Sequence, residues 1–223
     1  MIWIETNMGK IFSTKNLMIN GPSGAIEAIL EKNDDVNLLG VIIICHPHPL
    51  FGGTMKNKVV HTISRACLRE NLMVLRFNFR GVGKSQGTFD NGIGELKDAT
   101  HMINYIQTHY PDLPIWIGGF SFGAGIAIQA ASIKALTGLI SIAPSLSDPA
   151  KLINNEPQCP WLIIHGGQDE LIDIKVIKSW CKELQVLPKI IILDEATHFF
   201  HGCLIDLRIK IESFIKLKVQ DKS

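Results

Sequence analysis

The sequence lacks the features that mark several specialised classes of protein. It has 22 lysines and arginines against 21 aspartates and glutamates, so there is no excess of positive charge to attract nucleic acid or an anionic membrane. Its densest apolar run, from Leu38 to Cys45, is far shorter than the ~20 residues that a membrane span requires. The first ten residues lack the basic and apolar regions of a signal peptide. We therefore expect a protein that binds neither nucleic acid nor membrane.

The cysteines are odd in number, and no two of them have the Cys-x-x-Cys spacing of a redox pair or a zinc finger. Reduced thiols in the cytosol fit this set better than the disulfide framework of a secreted protein. The set predicts a cytoplasmic protein, and its members are Cys45, Cys67, Cys159, Cys181 and Cys203.

Apolar segments rich in β-branched residues alternate with segments of helical periodicity, and hydrophobic residues make up 46% of the 223 residues. Continuous apolar strands that alternate with helices predict a mostly parallel, doubly wound α/β sheet with helices on both faces. Shorter alternating pieces around Asn20 predict antiparallel strands at the sheet edge. We expect one domain over residues 1–223, without a separate cap. The predicted buried strands are Gly40–Cys45, Leu72–Phe79, Pro114–Gly118, Leu136–Ala143, Trp161–His165 and Lys189–Asp194.

The segment Gly119-Phe-Ser-Phe-Gly123 has the pattern G-x-S-x-G between a predicted strand and an apolar helix. This is the context of a nucleophile elbow, in which a serine occupies a tight strand-to-helix turn and its close neighbours must lack side chains. Ser121 is the candidate nucleophile. The main-chain N–H of Phe122, at the helix N-terminus, is a candidate donor to an oxyanion.

A serine nucleophile needs a base that is oriented by an acid, and in this topology the chain order is Ser, acid, His. Asp169 follows the strand that ends at His165, and His198 follows the next strand. We predict Asp169 as the acid and His198 as the base. Asp173 and Asp194 are alternative acids, and His201 is an alternative base.

The loop after the first parallel strand reads Cys45-His-Pro-His-Pro-Leu-Phe-Gly-Gly-Thr54. It should supply the second oxyanion donor, and since proline has no N–H, the donor is the main chain of His48, Leu50 or Phe51. Position after the strand favours His48. A metal site formed by Cys45, His46 and His48 is the less favoured interpretation, because no second pair of ligands has a matching spacing.

From about Gly24 to Phe214 the chain resembles the α/β-hydrolase superfamily, and most closely the small cap-less enzymes of its dienelactone-hydrolase and prolyl-oligopeptidase-like branch. Three blocks carry the resemblance: His46-Pro-His-Pro-Leu-Phe-Gly-Gly, Phe79-Arg-Gly-Val-Gly-Lys-Ser and Gly119-Phe-Ser-Phe-Gly. Typical dienelactone hydrolases have a cysteine nucleophile, whereas this chain has serine.

The resemblance implies a serine hydrolase with a Ser-His-Asp triad, an acyl-enzyme intermediate, and neither metal nor organic cofactor. The expected substrate is a small-molecule carboxylic ester or thioester. A small peptidase or acyl-peptide hydrolase is the alternative enzyme, and a catalytically silent fold used for binding is the alternative of another class. From Ala143 to Pro160 there is room for only one short helix, so we expect an open site without a lid.

Overall fold

The computed structural model describes residues 12–146 and 156–220. Its centre is an eight-stranded sheet with the strand order β1-β2-β4-β3-β5-β6-β7-β8. In this sheet β2 pairs antiparallel with both β1 and β4. All other neighbouring strands, from β4 across the sheet to β8, pair in parallel. The strands are Phe12–Gly21 (β1), Gly24–Asn33 (β2), Gly40–Cys45 (β3), Leu72–Phe77 (β4), Ile115–Phe120 (β5), Gly138–Ile142 (β6), Trp161–Gly166 (β7) and Lys189–Leu193 (β8).

The described residues contain five α-helices, which cover both faces of the sheet. Helices α1 and α5 pack on one face, and α2, α3 and α4 pack on the other. Each face has its own hydrophobic core, so the strands from β3 to β7 are buried on both sides. The helices are Lys58–Arg69 (α1), Ile93–His109 (α2), Phe122–Ile133 (α3), Ile174–Cys181 (α4) and Leu204–Gln220 (α5).

The predicted α/β fold class, with antiparallel edge strands at its N-terminal side, is confirmed. The edge strands form one hairpin, in which Phe12 pairs with Asn33 and Asn20 with Ala25. The C-terminal segment alternates in part like a strand, but its length and its lysines predict a helix, and it is the helix α5.

Strand ends differ from the predicted ones where loop contacts replace ladder contacts. Strand β4 ends at Phe77 rather than Phe79. The Asn78 N–H still donates to Glu27 O of β2, but the Phe79 N–H donates to His46 Nε2 in the loop after β3. Strand β5 continues to Phe120, two residues beyond its predicted end, and brings the next residue to the rim of the sheet.

The predicted short helix between strands β6 and β7 falls largely on residues 147–155, which lie outside the described residues, as do the first eleven. A single domain over residues 1–223 therefore stays a prediction. Among the helices of residues 12–146 and 156–220, none has the length and apolar character needed to cross a membrane.

Candidate active site

Ser121 lies at the turn between β5 and α3, at the carboxyl end of the parallel strands. Its φ is 55° and its ψ is −118°, a conformation that L-residues rarely adopt. Hydrogen bonds hold the turn: the Ser121 N–H donates to Ile142 O, and Ser121 O accepts from the N–H groups of Ala124, Gly125 and Ser145. The strained backbone thus lifts the hydroxyl above the sheet edge while its main chain is fully anchored.

Two glycines allow the tight turn. A Cβ on Gly119 would lie 2.4 Å from the Gly123 carbonyl, and a Cβ on Gly123 would lie 2.3 Å from His46 O. Both distances are impossible contacts with main-chain atoms, so the pattern G-x-S-x-G is a steric requirement of this turn. The approach at Gly123 also brings the loop after β3 against the start of α3.

The structure brings the three predicted triad residues into contact. His198 Nε2 lies 3.0 Å from Ser121 Oγ, and His198 Nδ1 lies 2.8 Å from Asp169 Oδ2. His198 is 2% exposed, and the Asp169 side chain is 1% exposed. These contacts arise because the loops after β7 and β8 meet the elbow at one edge of the sheet.

The loop after β7 fixes the carboxylate of Asp169. Its Oδ1 accepts hydrogen bonds from the N–H groups of Leu171 and Ile172, at 2.9 and 2.8 Å, which leaves Oδ2 for His198. Below it, the buried ring of His165 donates from Nε2 to Ile172 O and lies 3.4 Å from Asp169 Oδ2. Burial lowers the pKa of His165, which favours a neutral ring beside the carboxylate.

The alternative acids and the alternative base are placed elsewhere. Asp173 is the N-cap of α4 and accepts from the Lys175 N–H. Asp194 is exposed at the end of β8, and Gly167 packs against its main chain. His201 is exposed and stacks on Phe199, with ring centroids 6.0 Å apart.

His46 organises the loop after β3. Its ring is fully buried, and its Nε2 accepts from the Phe79 N–H at 3.0 Å, so its proton is on Nδ1, which donates to Pro47 O at 2.6 Å. Burial lowers the pKa of His46 to about 4. Both ring nitrogens are therefore committed to main-chain atoms, and His46 cannot serve as a metal ligand without losing them.

Two of the three candidate donors in this loop are engaged within it. The Leu50 N–H donates to His48 Nδ1 at 3.2 Å, and the Phe51 N–H donates to His48 O at 3.1 Å. Both bonds close the 3₁₀ turn Pro49–Phe51. Among the hydrogen bonds of residues 12–146 and 156–220, none uses the main-chain N–H of His48 or Phe122.

Metal-binding chemistry needs several convergent ligands. Within the described part of the chain, no three His, Cys, Asp or Glu side chains are grouped as a metal ion would require. The absence of a metal from the reaction stays a prediction.

Comparisons with known proteins identify the family of the chain. The family model described as "Serine aminopeptidase, S33" matches residues 39–158, which is more than half of the chain. The chain belongs to this family. It is therefore a member of the α/β-hydrolase superfamily, as the sequence predicted.

Solved structures resemble this α/β-hydrolase over nearly its whole length. An α/β serine hydrolase homologue from Coxiella burnetii is 39% identical, with a TM-score of 0.85, over 89% of this chain and 96% of that one. XC6422 from Xanthomonas campestris, described as an α/β serine hydrolase without lid, is 35% identical, with a TM-score of 0.83, over 91% of this chain and 94% of that one. The uncharacterized protein RP471 of Rickettsia prowazekii is 34% identical over 90% of this chain and 85% of its own length.

One contact of this α/β-hydrolase has no signal in the sequence. The exposed carboxylate of Glu170 accepts from the His198 N–H at 3.2 Å and so anchors the main chain of the predicted base. Glu170 directly follows Asp169, but its orientation depends on how the loops after β7 and β8 meet. A single sequence contains no pattern that reports this pairing.

Aromatic rings border Ser121 on two sides. On one side, the ring of His48 contacts those of Phe51, Phe89 and Phe122, with centroids 4.7, 4.9 and 4.9 Å away. On the other side, Phe199 contacts the ring of His198 at 5.2 Å. The residue that follows Ser121 in the chain and the residue that contacts its hydroxyl are therefore both packed against aromatic rings.

Proposed function

We propose that the protein is a serine hydrolase that cleaves a carboxylic ester or thioester through an acyl-enzyme intermediate. The observation that carries this proposal is the chain of contacts from Ser121 Oγ to His198 Nε2, at 3.0 Å, and from His198 Nδ1 to Asp169 Oδ2, at 2.8 Å. A nucleophile, a base and an orienting acid at hydrogen-bond distance are the arrangement that acyl transfer requires.

In the proposed mechanism, Ser121 Oγ attacks the carbonyl carbon while His198 Nε2 takes the hydroxyl proton. The tetrahedral intermediate collapses when the bond to the leaving oxygen or sulfur breaks, and His198 gives its proton to that atom. Water then repeats the sequence on the acyl-enzyme and releases the acid. Asp169 keeps the proton of the neutral imidazole on Nδ1 and stabilises the imidazolium.

The oxyanion is assigned to two main-chain donors, Phe122 and His48. The Phe122 N–H opens α3, where the first N–H groups have no partner within the helix and the helix dipole favours negative charge. The His48 N–H belongs to the loop that Gly123 lets approach. Of the three loop candidates it is preferred because the N–H groups of Leu50 and Phe51 already close the 3₁₀ turn.

A peptidase or acyl-peptide hydrolase is the second candidate, because the matching family is described as a serine aminopeptidase. An aminopeptidase needs a free carboxylate near the site to bind the ammonium group of its substrate. The buried Glu95 uses both oxygens on the N–H groups of Asp90 and Gly92. The exposed carboxylate of Glu170, which accepts from the His198 N–H, is the candidate for binding such an ammonium group.

The proposal includes an open site, a small-molecule substrate and a cytoplasmic location. The high exposure of Phe51, at 86%, supports access from solvent. The five cysteines all lie within the described residues and are all free thiols, which supports a reducing compartment.

The test is hydrolysis of p-nitrophenyl acetate together with labelling by a fluorophosphonate. Wild type should turn over the ester and be labelled, and Ser121→Ala should lose both, with a fall in kcat/KM of about 10⁴-fold or more. Ser132→Ala, at the other end of α3, is the matched control. The Ser132 hydroxyl donates to Gln129 O, so its loss should leave turnover unchanged.

A folded wild type that neither hydrolyses the ester nor reacts with the probe would contradict the proposal. It would make the silent binding fold the leading alternative. Turnover of aminoacyl amides in preference to esters would instead favour the peptidase.

A further inference from the structure

The aromatic rings near Ser121 form an apolar surface that the core covers only in part. We call the rings of His48, Phe51, Phe89 and Phe122 the aromatic surface. Phe51 is 86% exposed, and its neighbour Leu50 is 68% exposed. Large apolar side chains at this exposure, next to a nucleophile, contribute little to folding and are available to a substrate.

The aromatic surface is held in place by its own loop. His48 Nδ1 accepts from the Leu50 N–H, and its ring lies against three phenylalanine rings. A Cβ on Gly53 would lie 2.0 Å from Pro47 O, so the loop is closed by direct main-chain packing. Burial lowers the pKa of His48, which favours an uncharged ring at neutral pH. The surface is therefore preformed and apolar.

The geometry of attack decides which part of a substrate meets this surface. The following step rests on the proposed function. The carbonyl oxygen faces the N–H groups of Phe122 and His48, and the leaving group must lie near His198 Nε2 to receive its proton. Phe199 borders that side. The remaining substituent of the carbonyl carbon is the acyl group, and the aromatic surface is the apolar side left for it.

We propose that the aromatic surface binds a flat, conjugated acyl group, such as an aroyl or arylalkenoyl group, by stacking on the exposed ring of Phe51. An alkyl chain on an open surface stays hydrated on its far side and gains little. A planar acyl group can place one face against the exposed ring of Phe51 and gains the additional attraction between aromatic systems. The site therefore selects an acyl group that is flat enough to lie on an open surface, and it does not need a closed pocket to do so.

The experiment compares p-nitrophenyl cinnamate with p-nitrophenyl hexanoate, so that the leaving group is constant. Each kcat/KM is divided by the rate of alkaline hydrolysis of the same ester to remove intrinsic reactivity. Wild type should prefer the cinnamoyl ester, and Phe51→Ala should reduce that preference by roughly tenfold. Phe51→Leu keeps apolar area without a ring and should lose most of the preference as well.

Leu187→Ala is the matched control. Leu187 is 71% exposed and precedes β8, at the opposite edge of the sheet from Ser121. Its loss should leave the ratio of the two esters unchanged. An equal fall for both esters in Phe51→Ala, or an unchanged preference in Phe51→Leu, would overturn the proposal.

Binding without turnover separates this proposal from the proposed function. Methyl cinnamate is titrated by calorimetry into Ser121→Ala and into Ser121→Ala/Phe51→Ala. We expect the dissociation constant to rise roughly tenfold in the double variant. Equal affinities would overturn the stacking even if wild type is an active esterase, and a loss in the double variant would support it even if no ester is hydrolysed.

Discussion

The two sides of Ser121 are built from different kinds of contact. On one side, after β3 and β4, His46 is held by main-chain atoms: the Phe79 N–H and Pro47 O. On the other side, after β7 and β8, His198 is held by side chains, Asp169 and Ser121. A histidine bound to main chain fixes loops, whereas one bound to a carboxylate and a hydroxyl can transfer a proton.

The same contrast extends to the charged groups. On the first side, the Arg80 guanidinium and main-chain N–H donate to the Asp98 carboxylate, which is 1% exposed, and so tie the loop after β4 to α2. On the second side, the Asp169 carboxylate contacts His198, the predicted base. We therefore expect substitutions on the first side to reduce stability and those on the second side to reduce turnover.

The largest effect is expected for Asp169→Asn. The amide oxygen can still accept from the Leu171 and Ile172 N–H groups, but the tautomer and charge that His198 needs are lost, so kcat should fall by about 10⁴-fold with little loss of stability. Ester hydrolysis and urea unfolding measure the two quantities. Asp173→Asn is the control, because Asp173 only caps α4, and its turnover should match wild type. A loss of turnover in Asp173→Asn together with wild-type turnover in Asp169→Asn would make Asp173 the acid.

The next largest effect is on stability. Asp98→Ala removes the carboxylate that accepts three hydrogen bonds from the buried Arg80, leaves it the 3.9 Å contact with Asp90, and should lower the free energy of unfolding by about 3–5 kcal/mol. The variant that remains folded should keep most of its turnover. The control is Asp34→Ala, which breaks the exposed ion pair with Lys32 and should change stability by about 1 kcal/mol or less. Equal losses in the two variants would show that the buried pair does not anchor the loop.

Stability should also depend on pH through His46. Burial lowers its pKa to about 4 in the folded protein, whereas the ordinary value is ~6.5. Between these values the unfolded chain binds a proton that the folded protein does not, so the free energy of unfolding decreases as pH falls, by about 3 kcal/mol near pH 4. The buried His165, whose pKa is also lowered, adds to the same trend.

Urea unfolding at several pH values between 7 and 4.5, in wild type and His46→Gln, isolates this contribution. Glutamine cannot take up the proton, so the pH dependence of the variant should be shallower over this window. Parallel curves for the two proteins would refute the assignment to His46.

The smallest effect is expected for Glu170→Gln. Its carboxylate anchors only the main chain of His198 from an exposed position, so a neutral acceptor should lower kcat by no more than about fivefold. Glu195→Gln is the matched control, since exposed Glu195 contacts Gln168 and does not touch His198. A loss of kcat as large as that of Asp169→Asn would show that turnover depends on the anchoring of the His198 main chain as much as on the predicted acid.

Local patterns in the sequence predict much of the fold and of the candidate site. The bounds of β3 agree with the apolar run Gly40–Cys45, and the serine of the G-x-S-x-G segment stands at the predicted strand-to-helix turn. Asp169 and His198 are found together because both follow strands of one parallel sheet. These features depend on residue spacing, which a sequence displays directly.

Contacts between distant loops could not be predicted in this way. The preference for the His48 N–H over those of Leu50 and Phe51 depends on the 3₁₀ turn. The anchoring of His198 by Glu170 and the clustering of the aromatic rings depend on the approach of loops far apart in the chain. Such contacts are set by tertiary packing, for which one sequence provides no periodicity.

The backbone of Ser121 has a consequence for how this protein can be changed. A positive φ at a residue with a Cβ costs of order 1–3 kcal/mol, and glycine at this position would relieve that cost. The predicted nucleophile thus occupies a position where the backbone conformation lowers stability. A laboratory selection for heat tolerance alone would favour loss of the serine, so any such campaign must score turnover alongside survival.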